Sequence, residues 1–152
     1  MLRVTADEHR INFRTIKNSR DALQFASQSD DKIKDSVSLL LGFYAVEVGF
    51  KYLLNYQEKI PFNHEKKNKG DDYVEKYSHD LNGIISRLKI PAGKLPSLPN
   101  GPFNCTLNTQ SFELYQAHEA WRYGLTIAEE DQVVLKDCIE KMTNYLLLEV
   151  PE

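Results

Sequence analysis

The feature that most constrains the fold is the stretch at residues 31–56, which has the pattern of one helix with apolar residues almost all the way round. A turn of about 100° per residue divides such a helix into faces. One face combines large apolar residues with two charged ones, namely Ile33, Val37, Leu40, Tyr44, Glu47, Val48 and Lys51. A second face is wholly apolar and comprises Leu39, Phe43, Val46, Phe50 and Leu53. The third holds only small residues, Ser38, Gly42, Ala45 and Gly49. We therefore expect this helix at the centre of a bundle, where its small face lets another element approach closely.

Glu47 and Lys51 place one negative and one positive charge on this otherwise apolar helix. A buried charge without a partner is very costly, so each of them needs one. Their spacing of four residues lets the two side chains pair with each other. One interpretation is a polar cluster in a cleft, with Glu47 as acid, base or anchor. The other is a structural ion pair that reaches the edge of the bundle.

The composition favours one ordinary domain, spanning residues 1–152. A formal net charge of −3 provides no overall basic field, so binding to RNA or DNA would need a local patch. We find no signal-peptide apolar region and no apolar run long enough to span a membrane, and we expect a cytoplasmic protein with no membrane contact. Cys105 and Cys138 lack metal-ligand spacing, and the known zinc and phosphate-loop patterns do not occur. We predict neither a metal nor a cofactor.

Apolar periodicity and capping residues predict five helices, over residues 6–28, 31–56, 72–88, 111–124 and 129–149. Capping boxes at Thr5–Glu8 and Thr126–Glu129 mark two helix starts, and Gly124 is expected to end the fourth helix. Residues 90–110, rich in proline, are expected to form a long irregular loop, which is uncommon in a compact domain and often functional. No strand-like alternation is visible. The sequence predicts an all-α, five-helix bundle.

His79 and Asp80 follow Tyr77 inside the predicted third helix. Histidine is the side chain best suited to proton transfer near neutral pH, which makes His79 a candidate acid or base. A catalytic histidine also needs an oriented partner, which the sequence does not identify. The alternative is a helix-surface or capping role.

The densest group of chemically capable residues is the run that ends in Trp121, Arg122 and Tyr123. Glu119 and Arg122 share a helix face, and an arginine held by Glu47 or Glu119 could present its guanidinium to a phosphate. The neighbouring aromatic rings could stack on a base. The alternative is an arginine–carboxylate clasp between two core helices, with the aromatic residues as packing.

Three segments in this order resemble the HEPN domain family: Glu47 and Lys51 within AVEVGFKYLL, YSHDL at 77–81, and AHEAWRYG at 117–124. The resemblance covers roughly residues 10–148. It implies a four- or five-helix up-and-down bundle that is frequently a homodimer. It also implies a setting in RNA cleavage, toxin–antitoxin pairs, antiviral defence or nucleotide-linked partner proteins.

Catalytic members of that family carry an arginine followed, after four to six residues, by a histidine, and two copies together cut RNA without metal. Arg122 matches the arginine, but Ile127, Ala128 and Glu129 occupy the positions where the histidine would fall. His118 precedes Arg122 by one helical turn, so the pair occurs in reversed order. Because the usual proton-transfer group is missing from the motif, the resemblance favours a non-cutting member.

Three functional hypotheses follow. The first is a non-catalytic HEPN-like module that forms a homodimer through its small-residue or aromatic helix faces and binds RNA, a nucleotide or a protein partner encoded nearby. Its binding residues would be Glu47, Lys51, Asp80, Glu119, Trp121 and Tyr123. The second is a divergent metal-independent endoribonuclease, in which Arg122 stabilises phosphate charge and His118 or His79 is the general base. The third is a structural helical subunit of a larger complex.

Overall fold

The computed structural model describes residues 3–30 and 35–152, and it confirms the prediction of an all-α fold with five helices. These helices are α1 (Ala6–Ser27), α2 (Asp35–Glu58), α3 (Leu81–Leu88), α4 (Ala117–Arg122) and α5 (Glu129–Glu149). Two 3₁₀ turns, Val74–Tyr77 and Leu114–Gln116, precede α3 and α4. The predicted start of the second helix, at residues 31–34, lies outside the described residues.

Helix α2 is the central element and packs against the four other helices. Its residues Phe43, Val46, Phe50 and Leu53 are fully buried. By length and by its mean hydropathy of 1.5, α2 could cross a membrane, which corrects our statement from the sequence that no such run exists. However, 67% of that apolar window is buried within the chain, as is typical of a core helix.

The small-residue face of α2 is covered within the chain by α1 and α5. A Cβ on Gly42 would lie 2.9 Å from Cγ2 of Ile139, and one on Gly49 would lie 2.8 Å from Cδ1 of Leu146 and 3.1 Å from Phe13. The close approach predicted for this face is therefore confirmed. Because α1 and α5 fill this face, the small-residue alternative for the homodimer contact is wrong, whereas the homodimer itself and a contact through the aromatic faces remain predictions.

The predicted third helix is interrupted. Its first part forms the 3₁₀ turn Val74–Tyr77, Ser78 adopts a positive φ of 48°, and α3 begins only at Leu81. The Asp80 side chain caps α3 by accepting a hydrogen bond from the Gly83 backbone N–H at 3.0 Å. Aspartate at such a position competes with continuation of the preceding helix. His79 therefore lies in the break before α3 and not inside a helix.

The predicted fourth helix, 111–124, is also shorter than expected. Residues Ser111–Phe112 form a strand that pairs antiparallel with Phe103–Asn104, so the expectation of no strands and of an entirely irregular loop at 90–110 is wrong. Phe103 and Phe112 face each other in this pair and both are buried, which favours strand pairing over helix at these positions. Gly124 has a φ of +69° just beyond α4, as the predicted helix stop requires.

The two predicted capping boxes have different outcomes. At the start of α1, the Glu8 backbone N–H donates to Thr5 Oγ1 at 3.2 Å and the Thr5 N–H donates to Glu8 Oε2 at 2.7 Å, which confirms the first box. Helix α5 instead begins after Ala128 without a side-chain cap. The backbone carbonyl of Thr126 accepts a hydrogen bond from Thr106 N–H at 2.9 Å, so this segment runs beside the strand pair and the second box does not form.

Candidate functional site

Glu47 and Lys51 are paired, as their spacing predicts. The Lys51 Nζ lies 2.6 Å from Glu47 Oε1, and the two side chains are only 12% and 10% exposed. The low polarity around such a pair strengthens their attraction and restricts their movement. This pairing leaves the second carboxylate oxygen of Glu47, Oε2, available for another partner.

That partner is His79, which the break before α3 brings to the side of α2. His79 Nδ1 lies 2.7 Å from Glu47 Oε2, and the His79 side chain is 38% exposed. A carboxylate that binds one ring nitrogen orients the imidazole and presents the other nitrogen outward. Within residues 3–30 and 35–152, His79 Nε2 makes no hydrogen bond. Glu47 thus connects a buried lysine to a partly exposed histidine.

His118 lies directly behind His79. The ring centroids of the two histidines are 3.9 Å apart with an interplanar angle of 36°, and His118 is also packed 5.4 Å from the ring of Phe43. Burial lowers the pKa of His118 below its usual value, and His79 lowers it further, against the opposing effects of the Glu119 carboxylate, the Tyr115 backbone carbonyl and the Glu47 carboxylate. His118 is therefore neutral near pH 7, and its buried Nδ1 has no hydrogen-bond partner in the described structure.

We call Glu47, His79 and His118 the histidine site. It joins α2, the turn before α3 and α4, and its polar atoms are ordered by the ion pair with Lys51. Such an arrangement can accept or donate one proton at His79 Nε2. No group of three or more metal-ligating side chains is present in the part of the chain that the structure describes, and Cys138 is a buried free thiol whose pKa burial raises to about 12.

Arg122 does not join this network. It is exposed at the end of α4 and makes no ion pair among the described residues, so the expected salt bridges to Glu47 or Glu119 are absent there. Its guanidinium instead lies 5.4 Å from the ring centroid of Tyr123. The interpretation of Arg122 as a clasp between core helices is therefore wrong.

Arg122 nevertheless lies next to the histidine site along the chain. Tyr115, His118 and Arg122 follow one another at spacings of three and four residues, which places them on one stripe of α4 and its preceding turn. We call these three residues the α4 stripe. His79 lies against His118, the middle residue of the stripe. Tyr115 is 52% exposed, and Arg122 is exposed at the end of α4.

The remaining predicted site residues have separate places. Trp121 is buried against Phe43, with ring centroids 6.4 Å apart, and its Nε1 has no hydrogen-bond partner in the described structure. Trp121 is therefore part of the core and cannot stack on a ligand, in contrast to the hypothesis from the sequence. Asp80 caps α3, Glu119 is exposed with Oε1 4.0 Å from His118 Nε2, and Tyr123 is 67% exposed.

Tyr44 shares a predicted helix face with Glu47 but is not among the candidate site residues that the sequence indicates. Tyr44 is partly exposed on α2, and its ring centroid lies 6.2 Å from that of His118. Its position three residues before Glu47 was the available signal, because such residues share a helix face.

Comparison of the chain with family models, with curated proteins and with solved structures finds no match.

Proposed function

We propose that this protein is a HEPN-like module that binds single-stranded RNA at the histidine site. The observation that carries the proposal is the exposed Arg122, which makes no ion pair among the described residues and lies one helical turn beyond His118, the residue against which the partly exposed His79 packs. An arginine without a carboxylate partner keeps its planar set of donors free for a phosphate. The homodimer and a role in antiviral defence or a toxin–antitoxin pair belong to this proposal through the resemblance alone, and the cytoplasmic setting belongs to it through the N-terminal sequence pattern.

Exposed tyrosines favour RNA over a single free nucleotide as the ligand. Tyr115 lies in the 3₁₀ turn before α4 and Tyr123 directly follows α4, so the two exposed rings are at opposite ends of this short helix. This separation fits stacking on more than one base, and stacking on tyrosine tolerates every base sequence. The net charge of −3 makes a long electrostatic footprint unfavourable, so we expect a short binding site centred on the α4 stripe.

The test is binding of a fluorescently labelled single-stranded RNA to the full chain in EDTA, measured by anisotropy at several salt concentrations. Arg122→Ala should weaken binding and reduce the slope of log affinity against log salt by about 0.7, the value for one lost phosphate contact on a single strand. Lys136→Ala, which removes a positive charge from α5, is the matched control and should leave both quantities unchanged. Absence of RNA binding by the wild type, or equal effects of the two substitutions, would contradict the proposal.

A second function, metal-independent endoribonuclease, is favoured by the 2.7 Å contact between Glu47 Oε2 and His79 Nδ1. A histidine oriented in this way can act as general base. The ribose 2′-hydroxyl would give its proton to His79 Nε2 as its oxygen forms a bond to phosphorus. The bond from phosphorus to the 5′-oxygen would break, and that oxygen would take a proton from water. The products are a 2′,3′-cyclic phosphate and a 5′-hydroxyl.

Incubation of labelled RNA in EDTA separates the second function from binding alone. If the chain cuts RNA, His79→Asn should lower the rate by about 100-fold or more, in the range reported for loss of a general base. An RNA whose reacting 2′-hydroxyls are replaced by hydrogen should resist cleavage but still bind. Cleavage that persists unchanged in both His79→Asn and Arg122→Ala would show that the activity comes from a contaminant.

A further inference from the structure

We propose that Glu47 and Lys51 are positioning residues that hold His79 in one tautomer, with the proton on Nδ1 and the free electron pair on Nε2. This inference rests on the histidine site being the functional site proposed above. The proton-accepting atom is then Nε2 of His79. The group that it binds is a hydroxyl, such as the ribose 2′-hydroxyl of RNA. His118 then has a supporting role.

The tautomer follows from the partners of the carboxylate. An ionised carboxylate only accepts hydrogen bonds, so a contact of 2.7 Å with Glu47 Oε2 requires the proton to be on His79 Nδ1. Lys51 Nζ, at 2.6 Å from Oε1, donates to the other oxygen of the same carboxylate and fixes its orientation. Since the Glu47 and Lys51 side chains are about nine-tenths buried, water competes little for either bond.

His118 cannot replace His79 in this role. Its side chain is buried, and His79 covers it at a ring centroid distance of 3.9 Å. The nearest carboxylate oxygen, Glu119 Oε1, is 4.0 Å from His118 Nε2, which is too far for a hydrogen bond that would orient the ring. His118 therefore provides a flat surface against which the His79 ring rests, and His79 alone reaches a ligand.

The experiment is nitrogen-15 NMR of the histidine side chains in the full chain, at a pH where His79 is neutral. His79→Asn identifies the resonances of His79 among those of the four histidines. We expect the wild type to show a protonated Nδ1 and an unprotonated Nε2 for His79. Glu47→Gln and, separately, Lys51→Met should convert this single form into a mixture of tautomers.

A matched control is available on α5, where Asp137 and Lys141 form an ion pair with the same spacing and the same length of 2.6 Å but on an exposed surface. Asp137→Asn and Lys141→Met should leave the His79 resonances unchanged. His118→Phe, which keeps a flat ring, should also preserve the tautomer. Wild-type His79 protonated on Nε2, or a tautomer unaffected by both Glu47→Gln and Lys51→Met, would overturn the inference.

Binding and cleavage measurements then distinguish this inference from the proposed function. If the tautomer behaves as expected but RNA neither binds nor is cut, the proposed function fails and the positioning role stands. If RNA is cut, Glu47→Gln should lower kcat by about tenfold or more with little change in KM. The reason is that His79 loses its orientation and no longer acts efficiently as the general base. Cleavage at the wild-type rate by Glu47→Gln would overturn the positioning role and leave the proposed function in place.

Discussion

At the scale of single residues, Glu47 and Arg122 carry charges in two different settings, one buried and paired and the other exposed without an ion pair among the described residues. Glu47 is buried and bound to both Lys51 and His79, whereas Arg122 is exposed and makes no ion pair among the described residues. Removal of one member of a buried pair leaves the other charge without compensation, but loss of an exposed side chain changes little. The two residues therefore give opposite expectations for stability and binding.

We expect Glu47→Ala to lower the free energy of unfolding by about 3–5 kcal/mol, because Lys51 would remain buried and unpaired. Arg122→Ala should change it by less than about 0.5 kcal/mol. Urea denaturation followed by circular dichroism measures both. A loss of several kcal/mol in Arg122→Ala would contradict the exposed, unpaired position of this arginine among the described residues and would favour the third hypothesis, a structural subunit.

At the scale of secondary-structure elements, the break before α3 places the His79 side chain within hydrogen-bond distance of Glu47. The backbone must leave the helical conformation at Ser78 and re-enter it at Leu81, and the Asp80 side chain stabilises that re-entry. Apolar periodicity continues through Tyr77, Leu81 and Ile84, which is why the sequence predicts an uninterrupted helix. The capping signal of Asp80 was present but is local, and the periodicity outweighed it in the prediction.

Asp80→Ala should therefore lower the free energy of unfolding by about 1 kcal/mol, the usual cost of a lost N-cap. Because Asp80 directly follows His79, the same substitution should also weaken the order of the His79 side chain. Asp80→Asn, which retains a capping oxygen, should restore most of the stability. Thermal unfolding of the three proteins measures the effect, and equal stability of Asp80→Ala and the wild type would argue against the cap.

The contact between α2 and α5 depends on the absence of a side chain at Gly49. An added Cβ would lie within 3.2 Å of both Leu146 methyl carbons and of Phe13, and these side chains are fully buried. Gly49→Ala should destabilise the fold by roughly 1–2 kcal/mol, since overpacking exceeds the gain in helix propensity. Gly70→Ala, with no atom within 4 Å of the new Cβ, is the control. Chemical denaturation midpoints that rise for Gly49→Ala would contradict this packing.

At the scale of the whole molecule, the sequence predicts the helices, the central place of α2 and the Glu47–Lys51 pair, because these depend on periodicity and on spacing along one helix. The contact of Glu47 with His79, 32 residues later, depends on how the helices pack. The strand pair of Phe103–Asn104 with Ser111–Phe112 escapes prediction because two residues are too few to show alternation. Arg122 illustrates the reverse case, since its spacing allowed pairs that the packed structure does not form.

Two histidines with lowered pKa values, the buried His118 and the partly buried His9, link the whole fold to pH. His118 lies against α2 from α4, and His9 lies on α1 with its ring centroid 4.9 Å from that of Phe62. Burial lowers the pKa of both histidines. The charge of Lys51 lowers the pKa of His9 further, and His79 lowers the pKa of His118 further. The folded state therefore binds fewer protons at these sites than the unfolded chain.

Stability should consequently be complete above about pH 6.5, the usual pKa of histidine in an unfolded chain, and should fall as the pH drops toward the lowered pKa values of the folded state. Urea midpoints measured between about pH 7 and pH 5.5 should decrease in the wild type. His118→Gln and His9→Gln should each flatten this decrease, because one titrating group is lost. A wild-type midpoint that stays constant over this interval would show that neither histidine resists protonation, and it would remove the electrostatic reason for treating His118 as the neutral support of His79.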